Sequence, residues 1–155
     1  MSCLPRALTV RVVRLHPDAR LPTYATDGSA GMDLYADHNI TLSPGFVTLV
    51  RTGLLLEVPV GYVGDVRSRS GLAKRGIVVA NSPGTIDSDF RGEVGVLLHW
   101  VYDGEHGLSQ VINRGDRIAQ LVIAPVPRVQ LVECTAEELT QTARGAGGFG
   151  STDAK

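Results

Sequence analysis

Apolar and polar residues alternate along short stretches of the chain, and turn residues separate these stretches. Near the N-terminus, Leu8, Val10 and Val12 alternate with polar residues, a spacing typical of a β-strand with one buried face. Further runs rich in apolar and β-branched residues predict strands at 46–58, 61–66, 77–80, 94–101, 117–126 and 129–132. Glycine and proline clusters such as Ser43-Pro44-Gly45 predict the turns between them.

Helical signals are few in this pattern. Residues 71–75 and 136–141 could each form about one turn of helix. Two strand segments, residues 53–56 and 121–123, are apolar on both faces, which indicates burial between sheets or between subunits. Regular short strands with almost no helix predict an all-β, single-domain sandwich or barrel with one short helix.

The C-terminal segment has a different composition. Four of the six residues from 145 to 150 are glycine, and such a stretch cannot build a core. It nearly has the spacing of a P-loop but lacks the lysine, and too little chain follows for the required helix. We therefore expect a β-domain over residues 1–143 and a flexible, glycine-rich arm over residues 144–155.

The composition of the chain argues against two classes of binding partner, nucleic acids and membranes. The 155-residue chain has a formal net charge of −1 and only 5% aromatic residues, so nothing favours a nucleic-acid partner. It has no apolar run of about 20 residues, so no membrane partner is expected either. The two cysteines, Cys3 and Cys134, are not spaced as a redox or zinc motif. They favour a reducing compartment, and we expect a cytoplasmic protein.

The segment from residue 81 to residue 93 has the densest candidate chemistry. It contains the Pro83-Gly84 turn signal and a carboxylate, Asp87, which is flanked by Ile86 and, three residues later, by Phe90. A carboxylate held between apolar groups beside a sharp turn can act as a general base. It could instead only accept hydrogen bonds from its own backbone, and the segment alone leaves both readings open.

Three further features are candidates for ligand contacts. Residues 67–75 contain four cations, and the Arg69 guanidinium and Ser70 hydroxyl at the start of a helical turn suit a phosphate. Asp33 lies on a largely apolar strand, where an acid needs a partner, water or a metal. Gln120 needs hydrogen-bond partners if it is buried. The alternatives are a solvated loop, a solvent-facing acid and a structural amide.

Five segments, taken in order, resemble the five motifs of the trimeric deoxyuridine triphosphatases (dUTPases). They are residues 30–36 (AGMDLYA), 69–73 (RSGLA), 83–93 (PGTIDSDFRGE), 115–121 (GDRIAQL) and the glycine-rich tail 144–152. The resemblance covers most of the chain. It implies a distorted jelly-roll β fold and a homotrimer in which three subunits contribute to each active site. It also implies Mg²⁺-dependent hydrolysis of dUTP to dUMP and pyrophosphate.

The resemblance also implies roles for individual residues. Asp87 matches the acid that activates the attacking water, and Asp33 matches the acid that holds Mg²⁺ through water. The matched phosphate contacts are Arg69, Ser70, Gly71 and Gln120. The matched uracil pocket is Asn81, Gly84, Thr85 and Ile86, acting largely through backbone groups. The matched closing arm is Arg144, Phe149, Gly150, Ser151 and Thr152, with Phe149 stacking on uracil.

Phe90 departs from the tyrosine that is usual in the family. Its ring can still pack on the deoxyribose, so we expect discrimination against UTP to survive because the exclusion is steric. Two other functions compete with that of a dUTPase. A dCTP deaminase of related fold would need a glutamate that is absent from residues 94–102. A non-catalytic trimeric barrel would be expected to lack the acid that Asp87 supplies.

Overall fold

The computed structural model describes residues 8–101 and 109–148. Within these ranges the chain forms short strands, one helical turn α1 (Ser70–Ala73) and a 3₁₀ turn (Ala136–Glu138). The strands are β1 (Arg11–Arg14), β2 (Thr23–Tyr24), β3 (Met32–Tyr35), β4 (Ile40–Leu42), β5 (Val47–Glu57), β6 (Tyr62–Arg67), β7 (Ile77–Val79), β8 (Gly84–Ile86), β9 (Glu93–Trp100), β10 (Gln110–Ile112) and β11 (Arg117–Pro125).

Two antiparallel sheets share one hydrophobic core. A five-stranded sheet has the order β2-β3-β11-β6-β8, a four-stranded sheet has the order β1-β5-β9-β7, and β10 pairs with β4. Fully buried side chains of both sheets, such as Leu34, Val50 and Leu121, belong to a single cluster. Burial of these apolar faces against each other is the main stabilising term. The prediction of an all-β sandwich is confirmed, and its arrangement is that of a distorted jelly roll.

Long strands were predicted best. The expected strand at 46–58 is β5 and that at 117–126 is β11, each within two residues of its bounds. The N-terminal strand begins at Arg11, later than the alternation suggested. The strand expected at 129–132 is wrong for the single chain, where this stretch is not paired and Leu131 is 91% exposed. A strand-like pattern of apolar residues does not form a strand unless another segment pairs with its backbone.

A bulge interrupts the pairing of β5 with β9. Arg51 pairs with Gly95 and Leu55 with Glu93, so three residues of β5 face Val94 alone. Gly53 in the middle has a φ of 69°, which strains any residue with a side chain. A Cβ at position 53 would also lie 2.7 Å from Nε2 of His16. The sequence signal for this bulge is a glycine inside a strand pattern.

No helix within the described ranges is long and apolar enough to cross a membrane.

Candidate active site

Strand register brings the predicted phosphate-binding residues together. Asp33 of β3 pairs with Gln120 of β11, which in turn pairs with Arg67 at the end of β6. Because register partners share a face of the sheet, Asp33 and Gln120 lie side by side. The chain then leaves β6 through Arg69 into α1. A cavity of about 360 Å³ results, and its lining includes Asp33, Arg69, Ser70, Gly71 and Gln120.

Asp33 is buried and paired with arginine. Its side chain is 10% exposed, and its Oδ1 accepts a hydrogen bond of 2.8 Å from Nε of Arg69. Its Oδ2 lies 3.7 Å from Nη1 of Arg117. A buried carboxylate needs such compensation, so the reading of Asp33 as a solvent-facing strand residue is wrong. Sequence reasoning did not single out Arg117, although its place at the start of β11 within the GDR segment was a usable signal.

Close packing fixes the side chain of Gln120. Its Nε2 donates to the backbone oxygen of Ser68 at 2.9 Å. A Cβ on Gly31 would lie 2.8 Å from Oε1 of Gln120, closer than any normal contact. Glycine at position 31 therefore leaves the space that the amide occupies. We call residues 68–71 the phosphate loop, after their predicted role. Gln120 is thus held at the cavity by this loop on one side and by the segment before Asp33 on the other.

Ser68 connects the phosphate loop to the next hairpin. Its Oγ accepts a hydrogen bond of 2.9 Å from the backbone of Val79, and its N–H donates to Ser82 Oγ at 3.4 Å. Asn81 precedes the cis Ser82–Pro83 bond, and its side chain covers Gly84, where a Cβ would lie 3.2 Å from Nδ2. The predicted uracil-pocket segment is therefore joined to the predicted phosphate loop.

Asp87 lies in a tight turn after β8. The backbone N–H of Phe90 donates to the Asp87 carbonyl at 3.1 Å. The Arg91 guanidinium donates to the carbonyls of Ser88 and Phe90 at 2.8 and 2.7 Å. We call residues 87–92 the catalytic loop, because they begin with the predicted catalytic acid. Asp87 faces a cavity of about 670 Å³ that it shares with Asp65, Asp89 and Arg128, among others, and this is a different cavity from that of Asp33.

We call the cavity lined by Asp33, Arg69 and Gln120 the phosphate pocket, after its predicted role. Within one chain, Asp87 is separated from this pocket. Asp33 is three strands away from β8, and Ile86 pairs with Gly64, three residues before Arg67 on β6. Asp87 lies one residue beyond Ile86, so its offset from Arg67 is four residues. At about 4.8 Å per strand and 3.3 Å per residue, Asp87 and Asp33 are roughly 20 Å apart. One chain therefore presents two halves of the predicted site without joining them.

A third cavity lies behind the catalytic loop. It measures about 540 Å³, and its lining includes Thr85, Ile86, Phe90, Arg51 and Glu93. The Phe90 ring is partly exposed and lies over Gly92, where a Cβ would be 2.6 Å from Cζ of Phe90. Because Gly92 has no side chain, there is room for the Phe90 ring at this position.

The predicted arm is described only at its beginning. Arg144 is exposed, and its Nε donates to the Gly147 carbonyl at 2.7 Å, within its own turn. The other predicted arm contacts, Phe149, Gly150, Ser151 and Thr152, lie outside the described residues.

Comparisons with known proteins identify the family of this chain. The dUTPase family profile matches residues 17–153. The deoxyuridine 5'-triphosphate nucleotidohydrolase of Anaeromyxobacter sp. (strain Fw109-5) is 55% identical over 150 residues, covering 94% of this chain and 97% of that protein. The protein of the same name from Rhizobium etli (strain CIAT 652) is 53% identical over 151 residues, with 93% of each chain covered.

The chain is also similar to solved structures of dUTPases. A mutant dUTPase of Staphylococcus bacteriophage 80alpha with dUpNHpp has a TM-score of 0.80 at 27% identity, covering 93% of this chain and 98% of that one. A mutant dUTPase of phage phi11 of S. aureus, described with the coordination of a structural Mg(II) ion, has a TM-score of 0.74 at 27% identity and covers 84% and 99%. The fold, the motif geometry and these matches together place the chain in the dUTPase family.

Proposed function

We propose that this protein hydrolyses dUTP to dUMP and pyrophosphate with Mg²⁺ as its cofactor, at sites completed between copies of the chain. The observation that supports this most strongly is the pocket formed by Asp33, Arg69 and Gln120 together with the first turn of α1. In a member of the dUTPase family, a pocket that offers a guanidinium, a hydroxyl and an amide suits a triphosphate chain.

Arg69 and Ser70 are the proposed main phosphate contacts. The guanidinium of Arg69 is 24% exposed and presents several donors, only part of which Asp33 uses. Because a guanidinium binds carboxylate and phosphate oxygens in similar forked geometry, Arg69 can contact a phosphate group at the same edge of the pocket. Gly71 allows close approach, and Gln120 supplies a neutral polar contact.

The donor set around Asp33 fits Mg²⁺ held through water. Among the described residues, no group of three or more His, Cys, Asp or Glu side chains is arranged to hold a metal ion. Mg²⁺ commonly uses one or two carboxylates together with waters and substrate phosphates, so a single buried carboxylate beside a phosphate pocket is sufficient. When bound, Mg²⁺ would reduce the negative charge of the phosphate chain and stabilise the pyrophosphate leaving group.

Asp87 is the proposed general base. An ionised carboxylate can accept a proton from water as that water attacks the α-phosphorus in line, and pyrophosphate then leaves. The turn that joins Asp87 to Phe90 fixes the backbone on which this carboxylate is held. Because Asp87 and Asp33 of one chain are far apart, we infer that the Asp87 that acts on a bound dUTP belongs to another copy.

Uracil and sugar recognition is assigned to the hairpin around the catalytic loop. Backbone groups of Gly84, Thr85 and Ile86, with Asn81, are proposed to recognise the uracil edge. The Phe90 ring would pack on the deoxyribose and exclude a ribose 2′-hydroxyl by its volume. Residues 144–155 are proposed to form the closing arm, separate from the β-domain of residues 1–143.

Exposed apolar surface supports self-association into the proposed homotrimer. On the outer face of β5, Val47 and Leu49 are each more than half exposed, and Leu131 lies on the unpaired stretch after β11. Neighbouring exposed apolar side chains such as Val47 and Leu49, on one face of a strand, are typical of protein interfaces. The unpaired stretch also offers backbone groups that a neighbouring copy could pair with. A cytoplasmic location stays a prediction from the two cysteines, Cys3 and Cys134.

A nucleotide panel tests the proposed reaction. The purified protein is incubated with Mg²⁺ and dUTP, UTP, dCTP or dTTP, and both pyrophosphate and ammonia are measured. We expect pyrophosphate from dUTP, far less from the other three, and no ammonia. Equal turnover of UTP would contradict the steric role of Phe90, whereas ammonia from dCTP would assign the protein to the deaminases. Absence of pyrophosphate from dUTP would overturn the proposal.

A further inference from the structure

The carboxylate of Glu93 joins two distant segments of the fold. Its Oε2 accepts hydrogen bonds from both Nε and Nη2 of Arg51, the former at 2.8 Å. Its Oε1 accepts a hydrogen bond of 2.9 Å from the backbone N–H of Gly53, in the middle of the β5 bulge. The hydrogen bond to Glu93 raises the pKa of Arg51. Both carboxylate oxygens thus accept hydrogen bonds from residues 40 and 42 positions earlier in the chain.

Glu93 also marks the downstream end of the catalytic loop. It is the first residue of β9 and follows Gly92, over which the Phe90 ring lies. The upstream end of the loop is held by the pairing of β8 with β6. The downstream end begins opposite the β5 bulge, where Thr52 Oγ1 donates to the Val94 carbonyl at 2.6 Å. At this end, side-chain contacts to the bulge therefore add to the pairing of Glu93 with Leu55.

The Arg51–Glu93 pair differs from an ordinary surface salt bridge, because Glu93 also binds the backbone of the bulge. Exposed ion pairs contribute little to stability because solvent screens them, and Arg51 is 63% exposed. Glu93, however, is only 15% exposed. Its Oε1 satisfies a bulge N–H that the shifted ladder leaves without its regular strand partner. Arg51 and Glu93 also line the same cavity as Phe90 and Thr85, so they lie beside the groups that are proposed to recognise the nucleoside.

We propose that Glu93 is a positioning residue: its carboxylate, fixed by Arg51 and by the Gly53 amide, holds the catalytic loop so that the Phe90 ring excludes a 2′-hydroxyl. The proposal rests on the function proposed above. Glu93 need not touch substrate, and Arg51 acts through Glu93. Loss of the anchor would let the loop shift, and a shift of about 1 Å in a positioning group can lower turnover by about 100-fold.

The test compares Glu93→Ala with a matched control, Arg11→Ala. Arg11 forms an ion pair of 2.6 Å with Glu57 at the β1–β5 edge of the same sheet. This variant therefore also loses one ion pair on β5, but it keeps the 3.7 Å ion pair of Glu57 with Arg91 in the loop. We expect Glu93→Ala to lower kcat/KM for dUTP about 10- to 100-fold and to lower the dUTP-to-UTP ratio of kcat/KM several-fold. Arg11→Ala should retain the wild-type ratio. A Glu93→Ala protein with reduced Tm but a wild-type ratio would overturn the proposal.

Two milder variants cover the case in which Glu93→Ala fails to fold. Glu93→Gln keeps an oxygen for the Gly53 N–H but loses the ion pair, and Arg51→Ala removes the other partner. Each should also lower the dUTP-to-UTP ratio of kcat/KM, but by a smaller factor than Glu93→Ala does. Combined with Glu93→Ala, Arg51→Ala should have no further effect on the ratio, since Arg51 acts through Glu93. Wild-type ratios in both mild variants, or additive losses in the double variant, would contradict the proposal.

Hydrogen exchange of the loop amides gives a readout that does not need turnover. Exchange at residues 87–92 should be faster in Glu93→Ala than in wild type and unchanged in Arg11→Ala, because a released loop opens more often. If wild type failed to hydrolyse dUTP, the proposed function would fall, and faster exchange would still support the anchor. Unchanged exchange in Glu93→Ala would overturn the anchor whatever the activity.

Discussion

The phosphate pocket and the catalytic loop differ in how completely one chain builds them. Asp33, Arg69 and Gln120 come from three elements that meet in the middle of the five-stranded sheet, and hydrogen bonds fix each of them. Asp87 instead follows the edge strand β8 and faces another cavity. Central strands have neighbours on both sides, whereas an edge strand leaves one side open to another molecule. The pocket is thus already built within one chain, and the exposed edge of β8 supports the proposal that the loop acts on the pocket of a neighbouring copy.

Mixing two inactive variants tests that division most strongly. Alone, Asp87→Asn should lose about 10²- to 10⁴-fold in turnover because the general base is removed. Arg69→Gln should also be nearly inactive. Random mixed trimers formed by co-refolding should recover about a quarter of wild-type pyrophosphate release, because some sites then combine intact Asp87 and Arg69 from different copies. Recovery no greater than the sum of the separate variants would show that both residues act within one chain.

Conservative replacement of Arg69 tests the preformed pocket. Arg69→Lys keeps the charge but loses the forked donors that contact Asp33 and, as proposed, phosphate. Hydrogen bonds to charged groups are worth about 1.5–3 kcal/mol, so kcat/KM for dUTP should fall roughly 10- to 100-fold. Steady-state kinetics with dUTP measure this. Wild-type kinetics for Arg69→Lys would mean that a positive charge at this position is enough and that the forked donors are not needed.

A methyl group at Gly31 should disturb the pocket without removing any functional group. A Cβ there would meet Gln120 Oε1 at 2.8 Å, whereas a Cβ at Gly28 would meet nothing within 4 Å. Gly31→Ala should therefore raise KM for dUTP several-fold by displacing the amide, and Gly28→Ala should not. Equal KM values for the two variants would show that the position of Gln120 does not matter for binding.

The smallest expected effect concerns a carboxylate outside both regions. Burial raises the pKa of Asp37, but hydrogen bonds with His38 and His16 more than offset this, so the pKa lies below its ordinary value of 3.8. A lowered pKa means that the charged carboxylate stabilises the fold above that pH and that this contribution is lost as the pH falls through the lower folded-state value. Asp37→Asn should lower Tm at pH 7 by about 2–6 °C.

The pH dependence of that effect is the sharper measurement. The difference in Tm between wild type and Asp37→Asn should shrink as the pH falls below 3.8. The exposed carboxylate of Asp27 supplies the control, since Asp27→Asn should leave Tm nearly unchanged. A difference for Asp37→Asn that stays constant down to the acid transition would contradict a role for the ionised form.

Local chemistry made much of the site predictable. Arg69, Ser70 and Gln120 were identified because their functional groups stand out in their segments, and the structure places them around one cavity with Asp33. The Asp33–Arg69 pair could not be read in the same way, because 36 positions separate the two residues. The contacts of Glu93 with Arg51 and Gly53 were missed for the same reason. Their only sequence signal was a glycine within a strand.

By itself, the sequence determined the all-β class, the long strands and the family, because periodicity and motif spacing are properties of neighbouring residues. The tertiary structure decided which strands are adjacent and in what register. It thereby buried Asp33 beside Arg69 and set Asp87 roughly 20 Å from Asp33, at the edge of the same sheet. It also left residues 129–132 unpaired despite their strand-like pattern. Register arises from contacts between segments far apart in the chain, and local sequence does not encode such contacts residue by residue.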